Sequence, residues 1–167
     1  MSNEAGDAVD RIVEQWRTER PDLRLDAMAT IGRLGRLAAL AGPHVDDLFA
    51  RFDLSRGEFD VLAALRRNGS PFTLTPTALA RTLMLSPAAM TSRLDRLERA
   101  GLVTRAIDPD NRRSMRVTLT DDGRARVDEA VTAHVANEER LLAALSATDR
   151  RRLDDILRRL LASLETP

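Results

Sequence analysis

The sequence predicts a mainly α-helical chain carrying one small β-hairpin, and three observations predict it. Apolar residues recur at helical spacing through most of the 167 residues, and only two short segments are rich in β-formers. Those two segments are joined by a turn-rich hexapeptide, Asp108-Pro109-Asp110-Asn111-Arg112-Arg113. Aromatic residues make up 3% (four Phe, one Trp, no Tyr), which argues against a layered β-sandwich built on large rings.

Taken in order, Val9, Ile12, Val13 and Trp16 form the stripe of a short amphipathic helix ending before Pro21. A second helix starts near Asp26, with Met28, Ile31, Leu34, Leu37, Ala38 and Ala41 in register. Gly42-Pro43 is expected to kink or break it, after which Val45, Leu48, Phe49 and Phe52 continue the pattern. Ser55-Arg56-Gly57-Glu58 reads as a capping box for a third helix, closed by Asn68-Gly69. Thr75-Pro76 and Ser86-Pro87 each pair an N-cap oxygen with proline at the first helical position. The first of these helices is expected to reach about Met84, and the second to run from Pro87 to Arg99 with Ala100-Gly101 as its stop.

The β-prone segments, Leu102 to Ile107 and Met115 to Leu119, follow. Thr120 caps a long helix to about Leu145, and Thr148-Asp149 opens the last one, striped by Leu153, Ile156, Leu157, Leu160, Leu161 and Leu164.

Composition narrows the function. With no Cys there is no disulfide, thiolate zinc site or redox thiol. The longest apolar runs are five residues, too short for a membrane span, and residues 1–20 lack the apolar stretch of a signal peptide, so a soluble, cytoplasmic chain is expected. No Gly-rich phosphate loop, G-x-S-x-G motif or nucleophile paired with His is present, so no catalytic residue and no cofactor is expected. His134 and Glu138 are four apart on a helix, and His44 lies near Asp46 and Asp47. Both groups read as solvated or interface side chains, and no metal is expected.

All 26 basic residues are arginine, balanced by 26 acids. This fits either the codon usage of a high-GC genome or a use of guanidinium as a fork for phosphates and guanine edges. The net charge is zero, but Arg81 to Arg116 holds eight Arg against four acids, leaving the remainder net acidic. A basic middle between acidic ends predicts a localised anion-binding surface.

Helix, short turn, helix and an arginine-bearing hairpin together give a winged helix-turn-helix. The full expectation is a mainly α chain with a small β-hairpin wing and a helical dimerisation lobe. Residues 1–53 form N-terminal helices of a dimerisation lobe, 54–120 the DNA-binding lobe, and 121–167 C-terminal dimerisation helices. The apolar stripes at the two ends exceed what one small lobe needs, which predicts a homodimer. In the Pro87 helix, Met90, Leu94 and Leu97 point inward. Ser86, Ala88, Ala89, Thr91, Ser92 and Arg96 are expected to meet DNA, with Arg112 and Arg113 of the hairpin tip reaching a minor groove. A winged helix that serves protein contacts without DNA is the alternative.

These residues resemble a family. The run Ser86-Pro87-Ala88-Ala89-Met90-Thr91-Ser92-Arg93-Leu94-Asp95-Arg96-Leu97-Glu98-Arg99-Ala100-Gly101-Leu102-Val103-Thr104-Arg105 is similar to the recognition helix and first wing strand of MarR-family regulators. The hexapeptide, followed by Leu119-Thr120-Asp121-Asp122-Gly123, is similar to their wing and exit signature, with Asn111 where Asp is usual. The resemblance implies a dimer on adjacent major grooves of a pseudo-palindromic double-stranded operator, usually as a repressor. The separate first helix bearing Trp16 resembles the urate-responsive subgroup. That resemblance implies a ligand set of Trp16, Asp60, Arg93 and Arg105 for a small anionic effector: urate, or a related purine or organic acid. An indole face and guanidinium forks suit such a planar anion. The residues themselves also allow core packing for Trp16 and phosphate contacts for Arg93 and Arg105.

Overall fold

The computed structural model describes residues 6–109 and 111–165. The chain divides into two compact units, Met1–His44 and Val45–Pro167. Asp110 of the hexapeptide lies outside the described residues.

In the first unit, α1 (Ala8–Glu19) is opened by Asp7, whose carboxylate accepts from the Val9 and Asp10 amides at 2.8 and 2.9 Å. Asp10 in turn accepts from the Asp7 amide, so an Asp pair builds the capping box. Val9 and Val13 bury against Leu25 and Ala29. Arg33 of α2 (Asp26–Ala50) donates to Asp7 at 2.7 Å and also to Asp10, tying the start of α1 to α2. The Arg33 guanidinium, with the Asp10 amide, holds the Asp7 carboxyl down to about 2. Ile12 and Trp16, on the same expected stripe, are both exposed.

Gly42-Pro43 does not end the second helix: α2 runs unbroken through Pro43 to Ala50. Proline removes one amide from the ladder, while Leu48 and Phe49 beyond it go on filling the core of the second unit.

In the second unit, α3 (Arg56–Arg67), α4 (Pro76–Thr82), α5 (Pro87–Arg99) and α6 (Asp121–Leu141) surround a core of Phe49, Leu62, Leu65, Leu79, Met90, Leu94, Leu97 and Val117. The expected caps are present: Ser55, Thr75, Ser86 and Thr120 each accept from the amide three residues on. Gly69 and Gly101 take positive φ where α3 and α5 stop. Both α4 and α6 end a few residues earlier than periodicity suggests. Met84 adopts a φ of 52° in the turn between α4 and α5 and is exposed.

The sheet has three strands in the order β1-β3-β2, where the sequence indicates two. Strand β1 is only Thr73–Leu74, pairing with Thr118 and Val117 of β3 (Met115–Leu119). Strand β2 (Val103–Ile107) pairs along the whole of β3, Val103 with Leu119 out to Ile107 with Met115. The last helix, α7 (Ala147–Glu165), has no buried residue. Ile156, Leu160, Leu161 and Leu164 of its stripe are exposed, as are Val131 and Val135 of α6. Among the described residues no helix is long and apolar enough to cross a membrane.

Candidate nucleic-acid interface

Helix α5 presents two faces because its sequence alternates purposes. Met90, Leu94 and Leu97 are each 1% exposed and root it in the core. Ser86, Ala88, Thr91, Ser92 and Arg96 are exposed, and Ala89 is half-buried. The first turn carries no acid, so the unpaired amides and the positive helix end are left unneutralised. The Ser86 hydroxyl caps the Ala89 amide at 3.3 Å, and Thr91 donates to the Pro87 carbonyl at 3.0 Å.

The hairpin tip is held by its own turn. The Asp108 amide donates to the Ser114 carbonyl, that of Asn111 to Asp108 and that of Ser114 to Asn111, at 2.8–3.2 Å. The Asn111 side chain accepts from the Arg113 amide at 3.2 Å, so it serves the turn without a charge. Arg116 bridges to Asp108 at 2.9 Å, and Arg112 and Arg113 are exposed.

Three arginines expected to act outward also make contacts inside the lobe. Arg96 donates from Nε to the Glu58 carboxylate at 2.6 Å and from Nη1 to Ser92 at 3.2 Å. Arg93 lays its guanidinium on the Gly57 backbone and reaches the Gly57 carbonyl at 3.4 Å. Arg105 of β2 bridges to Asp95 at 2.8 Å and Glu98 at 2.5 Å, fastening the wing to the back of α5. That contact holds the Glu98 carboxyl below its usual range and Arg105 above its own.

Of the four residues implied as an effector set, Asp60 and Arg93 act on one another. Burial pushes the Asp60 carboxyl up, and the charges of Arg93, Arg56 and Arg67 oppose that rise. Arg105 is occupied by its two acids. Trp16 belongs to the first unit, on α1.

His134 is packed against Phe49 and Phe59, with ring centroids 5.0 and 5.4 Å away. Its Nε2 meets Glu138 at 3.2 Å, while Nδ1 is buried without a hydrogen-bond partner. Sequence reasoning missed Gly57 and Glu58 as partners of α5, since neither contact is local. Asp95 and Glu98 left a signal, two acids three apart on one helix face.

Comparison with known proteins bears on the family and the fold. A family model described as MarR family matches residues 52–114. The chain is 42% identical over 151 residues to the HTH-type transcriptional regulator PecS of Dickeya dadantii, covering 90% of this chain and 91% of that protein. The crystal structure of a mutant Escherichia coli MarR complexed with operator DNA superposes with a TM-score of 0.71 at 24% identity, covering 82% of this chain and 97% of that one. A structure of Bordetella bronchiseptica BpsR, whose DNA binding is regulated by 6-hydroxynicotinic acid, gives 0.68 at 26% identity, covering 77% and 90%. With a wing, a capped α5 and a relative alike along nine-tenths of its length, the chain belongs to the MarR family of DNA-binding winged-helix transcriptional regulators.

Proposed function

We propose that the protein is a homodimeric repressor of a pseudo-palindromic operator, released by a small anionic effector. The observation that carries the DNA assignment is the uncovered first turn of α5 in the same lobe as a wing tip bearing exposed Arg112 and Arg113. Ser86, Ala88, Ala89, Thr91 and Ser92 enter the major groove, Arg96 backs them from the same helix with its guanidinium on Glu58, and the wing arginines enter the adjacent minor groove. The exposed apolar residues of α6 and α7 meet their copies in the dimer.

Arg112→Ala is expected to weaken operator binding and lower the slope of log affinity against log salt by about one, as loss of one phosphate contact does. Fluorescence anisotropy on the chain's own upstream intergenic DNA, over a salt series, measures both. Unchanged affinity and slope would sink the wing assignment.

The effector set is Trp16, Asp60, Arg93 and Arg105, and urate is the first candidate. A half-buried carboxyl opposed by several arginines supports this reading, because a planar anion with ring N–H groups can answer both signs at once. BpsR, regulated by an aromatic acid, is a relative with a ligand of that kind. Releasing operator 100-fold needs only about 2.7 kcal/mol of differential affinity between two conformations. Trp16→Ala and Arg105→Ala are expected to blunt urate-induced release while leaving much operator affinity. Loss of both properties together would instead mark these residues as structural or DNA contacts.

A further inference from the structure

We infer that the first turn of α3 is the anchor that sets the angle of the recognition helix: Glu58 grips Arg96 and Gly57 seats Arg93, making both arginines positioning residues for operator binding. The inference rests on α5 being the helix that enters the groove.

The geometry is that of a two-point clamp. Arg93 and Arg96 are one turn apart on α5, and their guanidiniums land on consecutive residues of α3, Gly57 and Glu58. A single contact lets a helix rotate about it; two contacts a turn apart fix its axis. The anchor is itself stiff. Glu58 is 9% exposed, and its Oε2 accepts from the Ser55 amide at 2.8 Å and the Ser55 hydroxyl at 2.6 Å. That leaves Oε1 for Arg96. Burial pushes the Glu58 carboxyl up, but the Ser55 and Arg96 hydrogen bonds outweigh it, so the group sits below its usual range and stays ionised.

The second point depends on a missing side chain. A Cβ on Gly57 would stand 2.6 Å from Arg93 Nε and 2.8 Å from Nη1, so the guanidinium would have to leave its seat. Glycine in the first turn of a helix sacrifices propensity. Here it supplies a bare backbone that leaves room for the Arg93 guanidinium.

The clamp makes a prediction opposite in sign to simple electrostatics. Glu58 is an acid in a lobe that binds a polyanion, so deleting its charge should raise operator affinity by long-range attraction. If the clamp holds, Glu58→Gln lowers affinity about tenfold, the loss expected when a charge-assisted hydrogen bond fails. Arg96→Met lowers it by a similar factor, the double variant is no worse than either single one, and the salt slope stays the same in all three. Arg96→Lys, which keeps the charge, recovers part of the loss.

Anisotropy titrations of the dimer on its operator across a salt series read every term, with thermal melts run alongside. Higher or unchanged affinity for Glu58→Gln overturns the inference. So does a slope reduced by about one for Arg96→Met alone, since that is a direct phosphate contact. Should Glu58→Gln fail to fold, Gly57→Ala keeps the question open to refutation. It improves helix propensity, preserves the Glu58–Arg96 pair and unseats only Arg93. Several-fold weaker binding with no drop in melting temperature is expected, and unaltered binding overturns the clamp. Thr91→Asp on the outward face of α5 separates the two readings. If it binds operator normally, the groove assignment of α5 has failed; if it abolishes binding while Glu58→Gln is neutral, only the clamp has failed.

Discussion

Gly123→Ala is expected to destabilise the second unit by about 3 kcal/mol, the upper end of the usual cost of forced overlap in a packed site. Gly123 is the third residue of α6, and its amide is taken by the Thr120 cap at 2.9 Å. A Cβ there would run into the Leu102 carbonyl oxygen and stand 2.9 Å from the carbonyl carbon. The obstacle is backbone, so no rotamer relieves it. That same carbonyl accepts the Thr120 amide at 3.2 Å, and Thr120 Oγ1 donates to the Gly101 carbonyl at 2.7 Å. The start of α6 is therefore stitched to the residues between α5 and β2, and pushing it away also shifts the root of the wing. Urea denaturation of Gly123→Ala against the parent measures the loss, and a midpoint within experimental scatter of the parent would refute the close approach.

Leu94→Ala gives the second large effect, a loss of about 2–5 kcal/mol for truncating a buried leucine. Leu94 is 1% exposed in the core shared by α3, α4 and α5. Its value is comparative. Thr91, one turn earlier on the same helix, is exposed. The inward change should lower the melting temperature by several degrees and weaken operator binding only as the fold is lost. The outward Thr91→Asp should remove operator binding and leave the melt in place. If both variants melted alike, the division of α5 into a rooted face and a reading face would be wrong.

Asp60→Asn tests the effector reading from the stability side. The Asp60 carboxyl is raised by burial, so the folded state holds its proton more tightly than the unfolded chain does. Its contribution is favourable below the ordinary carboxylate range and turns to a cost as pH rises through the folded value. The neutral amide should therefore raise the melting temperature at pH 7 while abolishing effector-induced release. A lower melting temperature would show that the arginines around Asp60 need its charge.

Local signals were readable because their physics is local. Ser55, Thr75, Ser86 and Thr120 announce helix starts, and Gly69 and Gly101 announce stops, through amides and dihedrals within three or four residues. The inward stripe of α5 is legible for the same reason. What stayed hidden depends on partners far along the chain. The two-residue β1 exists only because Thr118 and Val117 lie beside it, and its Thr73 hydroxyl meets that of Thr118 at 2.8 Å. Nothing near residue 73 encodes that pairing. The roles of Gly57 and Glu58 likewise come from arginines 36 and 38 residues away. The continuity of α2 through Pro43 is hidden for the same reason, since proline's penalty is local whereas the burial of Leu48 and Phe49 beyond it depends on the rest of the fold.

The unequal width of the sheet grades the wing mechanically. At its root, Val117 and Thr118 are flanked on both sides, by Leu74 and Thr73 and by Arg105 and Thr104. Beyond Arg105 only two strands continue, Ala106 with Arg116 and Ile107 with Met115. A two-stranded ribbon twists and bends more readily than a three-stranded sheet. The arginine tip thus rides on a compliant arm rooted in a stiff base, and can move without disturbing the three-stranded root. Amide hydrogen exchange should register this as a step, slow at Val117 to Leu119 and fast at Ala106, Ile107 and Met115.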